Sequence, residues 1–178
     1  MPTNETHLEI ERRYLIDYPN EAELLSFKGA FKTEITQTYL TAPVGISRRV
    51  RKRVGARTVY TCTEKRKQSA AVREETEREI SESEYHAFLK EADTSCAPVC
   101  KTRICIPYEG FVWEVDLFPF WENVAVLEVE LEDISQMPKM PPCFSVLKEI
   151  TTEPSMTNHN LARHIRQNKT AQLLACVL

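Results

Sequence analysis

Alternation is the feature that most constrains this chain. In residues 7–16, HLEIERRYLI, an extended strand places Leu8, Ile10, Tyr14 and Ile16 on one side and Glu9, Glu11 and Arg13 on the other. The two-faced pattern returns in segment after segment. Arg49, Arg51 and Arg53 share a face; so do Thr61, Thr63 and Lys65, and so do Glu75, Glu77 and Glu79. Lys101 falls with Arg103, Glu114 with Asp116, and Glu128 with Glu130, while Trp113, Val115, Leu117, Leu127, Val129 and Leu131 take the opposite sides. One such strand is the half-wet strand of an antiparallel sheet. A whole series of them, each with charge at i and i+2, points to a large sheet that curls or closes. Its apolar face is then the one that helices cover, and its charged face turns inward.

The segments between fit a mainly β, α+β chain. Residues 18–29 read as a short helix opened by Pro19-Asn20 and ended near Gly29. Residues 34–41 are β-branched and aromatic, hence a strand, and residues 47–54 and 57–67 are two strands joined around Gly55. Residues 72–80 form another. Ser81 stands three residues ahead of Glu84, a capping-box spacing that predicts a helix over 81–93. Three more strands follow, over 99–108, 111–120 and 124–133, with turns at Glu109-Gly110 and near Asn123. After a Pro-rich loop, 143–151 reads as a short helix and 158–167 as a last one. The apolar tail 171–178 suits packing against the sheet or against a second copy in a homodimer. No linker or repeat divides the chain, so one domain over residues 1–178 is expected.

Charge and composition narrow the partners. A net charge of −3 gives no global attraction to nucleic acid or an acidic membrane, so neither is an expected partner and an anion site must be a local cluster. No apolar run approaches the ~20 residues of a membrane span, and the N-terminus lacks the basic and apolar regions of a signal peptide. A cytoplasmic protein with six reduced cysteines is expected. Cys96, Cys100 and Cys105 lack CxxC spacing, and His86 is the only histidine near them in sequence, which disfavours zinc there.

An interior holding both signs of charge has a definite chemistry. Guanidinium forks suit phosphate oxygens. Carboxylates without histidine or cysteine in register suit a hard cation, Mg²⁺ or Mn²⁺. Together they suit a metal-complexed polyphosphate.

These motifs resemble the CYTH superfamily, the triphosphate tunnel metalloenzymes. The family's N-terminal ExExK appears as Glu9-Ile10-Glu11-Arg12-Arg13, with Arg13 at the lysine position. RRVRKR, TCTEKRK, EETEREI, KTR at 101–103, VWEVD at 112–116 and LEVELED at 127–133 follow in the family's order, so the resemblance covers about residues 7–165. It implies a closed antiparallel barrel of about eight strands around a charged tunnel, with helices outside and a C-terminal helix near one end. It implies Glu9, Glu11, Glu128 and Glu130 as metal ligands and catalytic residues, with Asp116 as a further metal ligand. Arg13, Arg51, Arg53, Lys65, Lys101 and Arg103 would grip phosphates, with Arg49 as a register alternative, and Lys65 is also counted as catalytic. Glu75, Glu77 and Glu114 are supporting acids. Lys148 would close over a tunnel end from the C-terminal helix. The implied activity is metal-dependent hydrolysis of the terminal phosphate of a triphosphate, foremost inorganic triphosphate. Alternatives are a class IV-like adenylyl cyclase making cyclic AMP from ATP and a non-catalytic polyphosphate binder. Arginine at position 13 suits anchoring rather than proton transfer, because it stays protonated.

Overall fold

The computed structural model of the chain describes the backbone over residues 5–67 and 72–178, with side chains over 10–66 and 74–178. Among the described residues nine strands form one antiparallel sheet. They are β1 (Glu5–Asp17), β2 (Phe31–Leu40), β3 (Ile46–Val54), β4 (Thr58–Lys67), β5 (Val72–Ile80), β6 (Val99–Tyr108), β7 (Phe111–Leu117), β8 (Val124–Leu131) and β9 (Val146–Glu149). Their spatial order is β5-β4-β3-β2-β6-β7-β8-β1-β9. The β6–β7 hairpin turns through Glu109 and Gly110, both at positive φ (49° and 82°), as a tight turn matched to strand twist requires.

The closed barrel expected from the sequence is corrected here, because the sheet is not closed into a barrel. The sheet curls until β5 meets β1, but they pair only through Glu5–Ile10 of β1. Beyond Ile10 that edge of β1 is taken by Thr151, whose Oγ1 accepts from the Arg13 N–H at 3.1 Å, and then by β9. The ends of the sheet therefore join along one half of a strand rather than along its length. Strand β9 is itself a correction, because residues 143–151 read as a helix. A four-residue element carries too few positions to distinguish a 3.6 period from a period of two.

The four α-helices are α1 (Glu21–Leu25), α2 (Glu82–Phe88), α3 (Asn158–Arg166) and α4 (Thr170–Val177). The expected capping box is present: Ser81 Oγ accepts from the Glu84 N–H, and the Glu84 carboxylate accepts from the Ser81 N–H. Helix α1 buries Leu24 against Ile104, Ile106, Trp113 and Leu127 on the outer face of the sheet. Helix α2 buries Tyr85 against Leu40, Val50 and Ile80.

Helices α3 and α4 lie at one end of the interior, where a C-terminal helix was expected. Along each inward face the residues change character. Glu11 and Arg13 are followed two residues on by Leu15, Glu130 and Glu128 are preceded by Val126 and Val124, and Lys101 is preceded by Val99. These apolar inner residues are fully buried with Phe118, Ile150, Met156, Leu161 and Leu173. One end of the interior is thus a hydrophobic floor on which α3 and α4 sit, and only the rest is charged. Leu161→Ala is expected to lower the unfolding free energy by about 2–5 kcal/mol, as deletion of a buried leucine does. Ser81→Ala, which removes only a cap, should lower it by about 1 kcal/mol. Urea denaturation of both variants checks the ranking.

Candidate functional site

A cavity of about 1300 Å³ occupies the charged part of the interior. Register stacks its walls in layers. Glu11 lies directly opposite Glu130, and in the next layer Arg13 lies opposite Glu128, which in turn lies opposite Glu114. On the far side Arg51 is level with Thr61, Arg49 with Thr63, and Lys65 with Glu75. Glu11, Arg13, Arg49, Arg51, Arg53, Lys65, Arg103, Glu75, Glu77, Glu114, Glu128 and Glu130 all line the space. Sixteen positions distant in sequence were expected at one site, and these twelve line the cavity. The side chain of Glu9 lies outside the described residues; its backbone pairs with Arg73.

The two halves of the wall differ. On β6, β7, β8 and β1 acids and bases are tied together. Glu128 accepts from Arg13 Nε at 2.8 Å and from Arg103 Nη2 at 2.7 Å. Arg103 also donates to Asp116 from Nε and Nη2, at 2.6 and 2.7 Å, and pairs with Glu114. Burial alone would raise the Glu128 carboxyl, but Arg13, Arg103 and Lys101 outweigh it and hold it well below the ordinary range. Burial opposes the Arg103 charge too, and Asp116, Glu114 and Glu128 overcome it, so that guanidinium is held all the more firmly protonated.

On β3 and β4 the balance is cationic. Lys65 reaches Glu75 at 2.5 Å, Arg49 lies 3.8 Å from the same carboxylate, and Glu77 accepts from Thr63 at 2.7 Å. Arg51 has only a long contact, 3.5 Å, to Gln37, and its buried Nε has no hydrogen-bond partner. Burial, with Arg49 and Arg103 close by, lowers its pKa to about 10. Glu77 is held below its usual range: burial works against this, and Arg51 and the Thr63 hydroxyl prevail.

Three expected site residues sit elsewhere. Lys101 and Asp116 are fully buried against each other beneath the cavity rather than lining it. Both Asp116 oxygens accept from Lys101 and Arg103, and the carboxylate does not border the cavity. Burial and the Arg103 charge bring the Lys101 pKa down to about 8. Sequence parity put Lys101 and Arg103 on one face correctly; it carried no information on depth. Lys148 is on β9, not on a helix, and its Nζ donates to the Val177 carbonyl at 2.6 Å, fastening α4.

Other wall residues escaped sequence reading. Tyr39, Thr151, Thr157, Asn158, His159 and Asn160 border the cavity, with the His159 ring stacked on Tyr39 at 4.6 Å. They come from the segment between β9 and α3, whose sequence has no alternation to announce an inward face. Burial and nearby Arg163 lower the His159 pKa, so this imidazole is neutral near pH 7.

The carboxylate rim fits a hard divalent cation. Glu11 directly faces Glu130, with the Arg13 guanidinium 3.8 Å from Glu11, and two carboxylates so placed present oxygen ligands to a further cation. The donors are all oxygens, as Mg²⁺ or Mn²⁺ prefers. A curled sheet with a cationic wall facing an acidic rim defines a class: β-walled chambers for metal-complexed polyanions.

The chain belongs to the CYTH domain family, whose model matches residues 7–139. It is 33% identical over 95 residues to an inorganic triphosphatase of Acetivibrio thermocellus, a match spanning 49% of this chain and 59% of that relative's length. The crystal structure of the inorganic triphosphatase NE1496 superposes with a TM-score of 0.53 at 26% identity, covering 87% of this chain and 94% of that one. The PH1819 protein from Pyrococcus horikoshii OT3 shares the fold, with a TM-score of 0.52 at 18% identity over 71% of this chain and 80% of its own.

Glu128→Gln tests the paired half of the wall. At pH 7 it leaves two buried guanidinium groups short of a partner and should destabilise by about 3–5 kcal/mol. The sign of the pH effect follows from the depressed carboxyl. Its stabilisation is complete above the unfolded value of about 4.3 and is lost as pH falls toward the lower folded value. Urea titrations at pH 7, 5 and 3 should show the wild type losing more stability than Glu128→Gln over the acid limb.

Proposed function

We propose that this chain is a divalent-metal-dependent triphosphatase that cleaves the terminal phosphate of inorganic triphosphate. The observation that carries this is Arg51, a buried guanidinium crowded by Arg49, Arg53 and Arg103 and lacking a carboxylate of its own. Holding such a group costs stability unless an anion arrives to meet it. The opposite wall keeps its bases neutralised by its own acids, so the uncompensated side is the one that faces the anion. Family membership and the inorganic triphosphatase activity of the Acetivibrio thermocellus and NE1496 proteins support the choice of triphosphate.

Glu11 and Glu130 would hold the cation, Mg²⁺ or Mn²⁺, with Glu9 and one edge of Glu128. When bound, the ion polarises phosphoryl oxygens and withdraws charge from them. The residues of the chain do the remainder. Arg51, Arg49 and Arg53 bind and orient the phosphate chain along β3, and Arg13 anchors it near the rim. Lys65, set by Glu75, supplies a further cation at the wall. Arg103, saturated by three carboxylates, keeps the acids in place rather than gripping substrate. A transition state with charge spread over phosphoryl oxygens is stabilised by such fixed cations without reorganisation. Such a chamber needs a wall around the substrate, and the half-length β1–β5 seam provides it. A cytoplasmic location accompanies this proposal; among the described residues no helix is long and apolar enough to cross a membrane.

Phosphate release from inorganic triphosphate, ATP and pyrophosphate, with Mg²⁺, Mn²⁺ or EDTA, tests it. Fastest cleavage of inorganic triphosphate, abolished by EDTA, is expected, and Glu130→Gln should slow it at least ~100-fold. Cyclic AMP as the product from ATP, or metal-independent turnover, would overturn it. Arg51→Leu separates function from folding. It should be as stable as the wild type or more so, while the concentration of triphosphate needed for half-maximal rate rises about 10–100-fold. Its melting temperature should also no longer rise on adding triphosphate.

A further inference from the structure

A second cluster lies outside the carboxylate rim. Asp93 and Cys96 sit in the turn before β6, and His159 in the first turn of α3. One donor atom from each lies within 4.8 Å of the other two. We propose that Asp93, Cys96 and His159 form a binding site for Zn²⁺ that fastens α3 to the sheet.

The donor set is the first ground. Thiolate, imidazole and carboxylate together suit Zn²⁺ and do not suit Mg²⁺, which takes oxygen alone. Spacing is the second. Zinc bonds of about 2.0–2.3 Å in a tetrahedron need donors about 3.3–3.8 Å apart. Cys96 Sγ and Asp93 Oδ2 are already 3.8 Å apart, and His159 needs to approach by no more than about an ångström. The outer shell is the third. Asp93 Oδ1 accepts from the Ser95 N–H at 2.9 Å and from its hydroxyl at 2.7 Å, which fixes the carboxylate and leaves Oδ2 toward the thiol. The backbone holds both sides in place. The Asp93 N–H donates to the Tyr39 carbonyl at 3.0 Å, and the Ala97 N–H donates to the Ala162 carbonyl of α3 at 2.9 Å. Tyr39 also stacks on the His159 ring. Three protein ligands leave the fourth position to water.

One group opposes the ion. The Arg163 guanidinium lies against Asp93, Cys96 and His159 and supplies a positive charge there. Its side chain is exposed, so it can swing into solvent when a metal arrives. Arg163 therefore competes with Zn²⁺, and removing it should tighten binding. A cluster with no affinity for metal gives no such effect. Binding converts the Cys96 thiol to thiolate and releases its proton.

The experiment uses the full chain stripped with chelator, with Mg²⁺ in excess to occupy the carboxylate rim. Zn²⁺ is titrated by calorimetry, and Co²⁺ is added as a spectroscopic probe. One Zn²⁺ per chain is expected, with a near-ultraviolet sulfur-to-cobalt charge-transfer band. Cys96→Ser should abolish the band, and Asp93→Asn and His159→Gln should each weaken Zn²⁺ binding by at least ~100-fold. Arg163→Gln should strengthen it up to ~10-fold. The band should persist in Glu11→Gln, which separates this site from the rim. Zn²⁺ bound equally well by Cys96→Ser, Asp93→Asn and His159→Gln, or Co²⁺ bound without a thiolate band, would overturn the proposal.

Discussion

Glu128 is the residue on which the charged interior turns. One carboxylate, buried in the wall, accepts from Arg13 on β1 and from Arg103 on β6. Two guanidinium groups from strands on either side of β7 and β8 are thereby held in one plane at the waist of the chamber. Without it, Arg13 and Arg103 would face each other as buried like charges, which a fold of ordinary stability cannot sustain. With it, Arg103 also collects Asp116 and Glu114, and four strands share one ionic lattice. The lattice sits where the interior changes from charge to hydrocarbon, with Leu15 and Val126 one layer below. It is therefore both the lid of the hydrophobic floor and the fixed side of the chamber.

The opposite side is built on a different principle. Strand β3 contributes Arg49, Arg51 and Arg53 on one face, and with Lys65 they outnumber the acids β5 sets among them, Glu75 beside Lys65 and Arg49 and Glu77 held ionised by Arg51 and the Thr63 hydroxyl. A surplus of cation is left around Arg51. Stability alone gives no reason for it, since a leucine at that position would pack without a charge to compensate. Binding does, because an incoming polyanion gains most where the protein has left positive potential unspent. The chamber is polarised from a balanced wall to an unbalanced one, with the Glu11–Glu130 pair at the rim between them. In the proposed function that polarity would orient the anion, with metal toward the acids and the phosphate chain toward β3.

Much of this was legible in sequence, and the illegible parts have a common cause. Period-two alternation is a local property, and it assigned inward faces correctly on seven strands because it requires only neighbouring residues. Depth is not local. Arg103 and Lys101 are indistinguishable by parity, yet register sets Arg103 opposite Asp116 at the chamber wall and buries Lys101 below it. Closure is not local either. Nothing in HLEIERRYLI shows that its outer edge changes partner from β5 to β9 after Ile10. The short β9 was misread for a related reason: its exposed four residues pair on an edge, where tertiary contact rather than periodicity decides the conformation. Cysteine spacing is local too: the histidine near Cys96 in space is His159, far along the chain, and not His86.

The C-terminal segment shows why a curled sheet needs more than its strands. A charged chamber cannot be floored by charge without a partner for each group, so the inner faces turn apolar, and that apolar end must then be covered. Helices α3 and α4 cover it, with Leu161, Ala162, Leu173 and Val177 packed on Leu15, Val99 and Val126. Lys148 ties the end of α4 to β9, and Thr151 ties the chain after β9 to Arg13. The same covering segment brings Thr151, Asn158 and His159 to the cavity border. What closes the hydrophobic floor therefore also shapes the wall of the site. A change in how α3 seats on the floor reaches the chamber directly through Asn158 and His159, and also through Tyr39, which packs on His159 from one side and accepts from Gln37, the contact of Arg51, on the other.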